Sequence, residues 1–211
     1  MISLSNTRRI SMASTRCCVL SVLVLAFLWS SAAAAAPARR DHGALIALEV
    51  AGSYAEMGRQ QAELLGEDLR RVYELQRREF DEGVATAGFG GWWMDRLGVP
   101  LWSWLGAAFE DSSFHEELGG LAEGLGVPRR EVMRALLALG GGSTVFAATR
   151  SATVDGEALI GRNVDWDDQL GARRPVVIHY RPDNGDLEYL AAGWPLVGLT
   201  TVGVTAAGFA L

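Results

Sequence analysis

The spacing of apolar residues changes character once along this chain, at the glycine run 140–142, and that change limits the folds open to it. Before it, apolar side chains recur every three or four residues, the period of a helix with one buried face. After it they alternate or form short apolar runs broken by Asp-Gly and Asn-Gly pairs, the pattern of strands joined by turns. Helices followed by a meander of strands imply an α+β protein with antiparallel sheets, not an alternating parallel fold.

The elements follow from local signals. Residues 44–50, ALIALEV, read as a short buried strand. Ser53 opens S-Y-A-E, a capping box in which the hydroxyl caps the first turn and Glu56 reaches back. The spacing of Tyr54, Met57, Leu64, Leu65, Leu69, Val72 and Leu75 predicts one helix from 54 to about 82, ending near Gly83. A segment at 83–112 is rich in Gly and Trp; Trp92, Trp93, Trp102 and Trp104 fit an acyl pocket, core packing or a cover over a sheet edge. Helices are expected over 113–125 and from Pro128, a good first helical residue, to about 139. Beyond Gly140, 143–153 and 157–166 form a hairpin about Asp155-Gly156. Residues 175–182 and 187–193 form another about Asn184-Gly185. Residues 196–204 and 208–211 supply two further strands. The chain stops inside an apolar strand, so its sheet is expected to be incomplete at the C-terminus.

The first 36 residues stand apart. Arg8, Arg9 and Arg16 precede an apolar run, Cys17–Trp29, and a row of small residues, Ala32–Ala36. This is the layout of a signal peptide, and the run is short for a membrane span. The expectation is a secreted or periplasmic protein, at a membrane only if the leader stays uncleaved. Removing three arginines and no acid takes the net charge from −6 to −9. An acidic body without a basic stripe argues against nucleic acid as a partner. Both cysteines leave with the leader, and with them any disulfide, thiolate nucleophile or Cys-based metal site.

The chemistry concentrates at 140–168, GGGSTVFAATRSATVDGEALIGRNVDWDD. A hydroxyl attacks well only when something takes its proton. If the bond between Gly142 and Ser143 is broken, the freed α-amine lies beside the Ser143 hydroxyl. That amine titrates at about 7.7–8.0 and can serve as the base. Three glycines give the backbone freedom for Ser143 to attack the Gly142 carbonyl. Unlike a linker, the stretch runs straight into a β-patterned strand, whose partner returns Arg162, Asn163 and Asp165 toward Ser143. Period-2 geometry sets Asn163 and Asp165 on one face and Arg162 and Val164 on the other, unless Gly161 bulges the strand. Asp165 can hold the amine and hydroxyl in register, and Arg162 can neutralise Asp165 or meet an anionic substrate group. A purely structural Arg-Asp pair at a strand end explains the same residues. The backbone N–H of Thr144 is a candidate oxyanion donor, and Asn163 a candidate positioning residue.

On these residues the chain resembles the N-terminal-nucleophile (Ntn) hydrolases, in particular the acyl-coenzyme A:isopenicillin-N acyltransferase and peptidase/amidase family, with bile-salt hydrolases more distant. In that family a nucleophilic Cys precedes Thr or Ser, an apolar strand, an Asp-Gly turn and Gly-(Arg/Gln)-Asn-x-Asp-(Trp/Phe). Ser143, Asp155-Gly156 and Gly161–Trp166 fall at the matching places. Upstream, GSYAEMGRQQAELL and FHEELGGLAEGLGVPRREVMRALLAL are similar to the family's early helix and to the segment before its cleavage site. The resemblance covers about 44–211. It implies an αββα sandwich, with 37–142 as a helical N-terminal segment and 143–211 as the start of a β-rich nucleophile segment. It implies self-cleavage between Gly142 and Ser143, and hydrolysis or transfer at a linear amide of a small acyl-amide or peptide substrate. No metal or organic cofactor is implied. Ser143 stands where the family has Cys, and the family's oxyanion Asn would lie beyond Leu211.

The remaining candidates are weaker. His42, His115 and His179 lie in no ligand-spaced motif, and His179 sits in an apolar strand as a structural residue. Asp165, Asp167 and Asp168 lack calcium-loop spacing. Glu116, Glu117 and Glu123 read as a solvated helix face.

Overall fold

A computed structural model describes residues 36–101, 103–104, 112–138, 142–165, 174–196 and 202–209, with backbone only at 142, 143, 164, 165 and 202. The leader, Trp102, Asp167, Asp168 and the last two residues lie outside this set. Residues 36–211 cluster as one compact unit.

Strand β1 (Ala38–His42) pairs antiparallel with β2 (Leu45–Gly52). Helices α1 (Tyr54–Leu65), α2 (Glu67–Thr86) and α3 (Phe89–Trp93) follow, and a π-helical turn, Met94–Gly98, continues α3. Helices α4 (Ser112–Leu125) and α5 (Arg129–Leu137) precede β3 (Gly142–Ala148), β4 (Leu159–Asp165), β5 (Val176–Pro182), β6 (Tyr189–Gly193) and β7 (Val202–Thr205). The strands form a sheet of order β1-β2-β5-β6-β7 and a separate ribbon, β3-β4. The mixed α and β composition is as expected, and the sheets are mostly antiparallel. One pair departs from that: β2 and β5 run parallel, Ile46 opposite Val176 and Val50 opposite Tyr180. Their connection contains the five helices of the described residues and the β3-β4 ribbon, long enough to return the chain to the same sheet end.

One face of the larger sheet meets the helices. Ile46, Leu48 and Val50 of β2 and Val176, Ile178 and Tyr180 of β5 join one core with Met57, Leu65, Leu69, Leu118, Leu121 and Val132. Alternation along both strands selects these side chains. The opposite face of the same strands carries Glu49, bridged to Arg40 at 3.0 Å, and His179, 3.2 Å from Glu188. His179 is buried, in keeping with its structural reading.

Three expectations need correction. The predicted helix 54–82 is two helices, because Gly66 adopts φ 51°, a conformation only glycine takes without strain. Arg39 holds the break: its guanidinium donates to Leu64 O at 2.9 Å and Leu65 O at 3.2 Å, two carbonyls that the end of α1 leaves unpaired. The same group pairs with Asp68 of α2 at 2.7 Å. Second, Asp155-Gly156 is not a two-residue turn. Residues 149–158 connect β3 to β4 through a 3₁₀ turn, Arg150–Ala152, and Asp155 accepts from Glu157 N at 3.1 Å within that loop. Third, of the expected strand 208–211 only Gly208 and Phe209 are described, and neither is in a strand, although Thr205 N donates to Phe209 O at 2.8 Å across the turn at 206–208. The capping box forms as expected: Glu56 N donates to Ser53 Oγ at 3.3 Å, and Ser53 N to Glu56 Oε2 at 2.8 Å.

Candidate functional site

The ribbon β3-β4 sets the geometry around the glycine run. Its register pairs Gly142 with Asp165, Ser143 with Val164, Thr144 with Asn163 and Val145 with Arg162. The bond between Gly142 and Ser143 therefore opens β3, alongside the last two residues of β4. Opposed residues of such a pair lie about 4.5–5.5 Å apart at Cα. Asp165 stands opposite the residue that precedes Ser143, and position 162 has the parity of positions 143 and 164. The side chains of Ser143 and Asp165 lie outside the described residues. Thr144 and Asn163 are exposed, and Arg162 is half-buried.

Gly161 does not bulge the strand. It pairs with Phe146 in an unbroken ladder, and the Phe146 ring fills the space above it, 2.2 Å from where a Cβ would stand. An aromatic opposite a glycine covers backbone that would otherwise be bare. The rest of the ribbon shows apolar side chains to solvent: Val145, Phe146, Leu159 and Ile160 are all exposed.

The upstream stretches that carried the resemblance have a packing role. Helices α1 and α4 cross where Gly58 of α1 backs onto Glu117, and Gly120 and Gly124 of α4 back onto Ala55 and Ala62. A Cβ on Gly58 would lie 2.2 Å from Glu117 O, one on Gly120 2.0 Å from Ala55 O, and one on Gly124 2.4 Å from the Ala62 Cβ. Only small residues let two helix backbones approach so closely.

That crossing encloses a carboxylic acid. Glu117 is 4% exposed, which overturns its reading as part of a solvated face. Gln61 Nε2 donates to its Oε1 at 2.5 Å and the Tyr180 hydroxyl donates to the same oxygen at 2.8 Å. Burial dominates its titration and pushes its pKa up to about 7, against the opposing pull of these two hydrogen bonds. The Tyr180 ring stacks on Tyr189 with centroids 4.5 Å apart. Burial and the neighbouring Glu117 keep the Tyr180 phenol protonated, well above its ordinary range. Helical spacing held a signal for this site. Glu117 follows Phe114 by three and precedes Leu121 by four, and Gln61 sits midway between Met57 and Leu65, so both belong to apolar stripes. Glu116 and Glu123 do face solvent, and Glu123 pairs with Arg59 at 3.1 Å.

Trp92, Trp93 and Trp104 are about half exposed or more. A crevice of about 340 Å³ lies near them in the chain, lined chiefly by Phe80, Val84, Gly91, Met94, Leu137 and Ala138, with Glu79 also in its lining. Among the described residues no three His, Asp or Glu side chains group as metal ligands, and no helix is long and apolar enough to cross a membrane. Neither models of known protein families nor the curated proteins yield a match to this chain.

Proposed function

We propose that the chain is the precursor of a secreted or periplasmic Ntn-type amidohydrolase or acyltransferase, cut between Gly142 and Ser143. The observation that carries this reading is the register that opens β3 with that bond and sets Val164 and Asp165 beside it. In the cleavage the Ser143 Oγ attacks the Gly142 carbonyl carbon, and its proton passes to the departing Ser143 nitrogen. Water then hydrolyses the resulting ester, leaving a Gly142 carboxylate and a free Ser143 amine.

In turnover that amine takes the hydroxyl proton as Ser143 attacks a linear amide. It returns the proton to the leaving amine, and water or a second amine discharges the acyl-enzyme. In this reading Asp165, opposite Gly142 in the ladder, holds the new ammonium group, and Arg162, which has the parity of position 143, meets an anionic substrate group. The Thr144 N–H serves as an oxyanion donor, and Asn163, opposite it, as a positioning residue.

Intact-mass analysis and N-terminal sequencing of the secreted product test this reading. The expected result is a polypeptide beginning at Ser143, absent from Ser143→Ala. A correctly folded chain that keeps the 142–143 bond overturns it. That outcome favours a non-catalytic secreted relative acting as a binding or structural module, a reading supported by Ser in the place of Cys and by the exposed apolar ribbon.

A further inference from the structure

We propose that the aromatic helical segment from Phe89 to Trp104 docks the protein onto an anionic phospholipid surface. The segment runs through α3, the π turn and the helical residues 99–101 and 103–104. Phe89, Trp92, Trp93, Leu97, Leu101 and Trp104 are between 45% and 75% exposed. Phe89, Trp93, Leu97 and Leu101 recur every four residues, and Trp104 three later, so an apolar stripe faces solvent. Phe89 stacks on Trp92 with centroids 5.8 Å apart.

This segment is anchored to the body. Gly91 is buried where a Cβ would come within 2.0 Å of Val84 O in α2, and Val99 is fully buried. Arg130 of α5 donates to the Asp95 carbonyl at 2.9 Å. The aromatic face is thus presented by a fixed element, with its side chains turned away from the core that holds it.

The composition and charge of the patch select a lipid surface. Indole combines a large apolar body with one N–H donor, which suits the headgroup boundary of a bilayer. A helix with Trp, Phe and Leu on one side and cationic groups beside it lies in that boundary. Asp95 is the lone carboxylate of 87–104. Arg96 at 4.0 Å, Arg130 at 3.4 Å and Arg134 at 2.8 Å surround it; Arg134 also pairs with Glu131 at 3.1 Å and Asp81 at 3.7 Å, and the Arg96 side chain is 64% exposed. With Arg77, which shares Asp81 and Glu131, this network has one more arginine than carboxylates, so the rim carries a small positive charge on a chain whose net charge is −6. Anionic headgroups complement that rim, whereas a two-fold contact with a second copy would set the same arginines against each other. The inference stands independently of any chemistry at Ser143.

The test uses the full chain with phosphatidylcholine vesicles, with and without phosphatidylglycerol. Readouts are co-sedimentation and quenching of indole fluorescence by brominated lipid. The expected result is quenching that is stronger with phosphatidylglycerol and reduced by Arg96→Gln. Each of Trp92→Ser, Trp93→Ser and Trp104→Ser is expected to weaken binding about tenfold, the loss for one large, partly buried aromatic. The triple variant should lose the quenching of the patch whether or not the leader also holds the vesicle. Unchanged far-ultraviolet circular dichroism in the single variants excludes misfolding as the cause. Equal quenching in parent and triple variant overturns the proposal. So does a dimer in solution that the triple variant dissociates, which would assign the patch to a second copy.

Discussion

Glu117 is the residue whose environment has the clearest consequence. A carboxyl group with a pKa near 7 in the folded chain, against an ordinary value of 4.5, binds a proton more tightly when folded than when unfolded. Its contribution to stability is therefore fully present below about pH 4.5. It declines as pH rises toward 7, and is gone above that. The whole change is on the order of 3 kcal/mol. Urea unfolding at about pH 5 and about pH 8 should show the parent losing most of this amount. Glu117→Gln, which still accepts from Gln61 and Tyr180, should abolish that slope. Tyr180→Phe removes one donor to the charged form, so it should raise the pH midpoint of the transition; a midpoint that fell would contradict the hydrogen bond's direction. Catalytic acids often have such values, but Glu117 lies inside the crossing of α1 and α4 and has only protein partners in view. Its placement is that of a buried structural acid.

At the scale of elements, neighbouring glycines of α4 make a controlled comparison. Gly120 faces α1, where a Cβ would collide with the Ala55 carbonyl, while Gly119 has nothing within 4 Å of a built Cβ. Backbone cannot swing aside as a side chain can. Gly120→Ala should therefore lower stability by about 1–3 kcal/mol through overpacking. Gly119→Ala should raise it by up to about 1 kcal/mol, because alanine loses less freedom in a helix. Chemical denaturation of both variants measures the contrast; equal effects would mean that the helices do not cross at Gly120. The β3-β4 ribbon behaves differently. The three atoms nearest to a Cβ at Gly161 all belong to the Phe146 ring, an exposed side chain with freedom to rotate away, so Gly161→Ala should cost less than Gly120→Ala in the same assay.

For the molecule as a whole, the segments on either side of the 142–143 bond share one core. β2 pairs with β5 across that division, and Ile46, Leu48 and Val50 pack in the cluster that holds Val176, Ile178 and Tyr180. The Tyr54 hydroxyl also donates to Asp186 at 2.9 Å. If the bond is cut, the two products should co-elute in native size exclusion and separate only in denaturant; separation under native conditions would show that the shared core does not form. The linear pattern alone determined the types of most elements, though not β1 or the helical turns from Phe89 to Gly98, together with the capping box at Ser53 and the placing of a hydroxyl at the start of a strand, because each rests on contacts a few residues long. The break at Gly66 depended on Arg39 arriving from another strand, and the parallel pairing of β2 with β5 on where five helices return the chain. The burial of Glu117 likewise depended on Gln61 and Tyr180 meeting it from distant segments. Tertiary structure decided these because a charge, a turn or a strand edge is stabilised by what packs against it, and those partners are far away along the sequence.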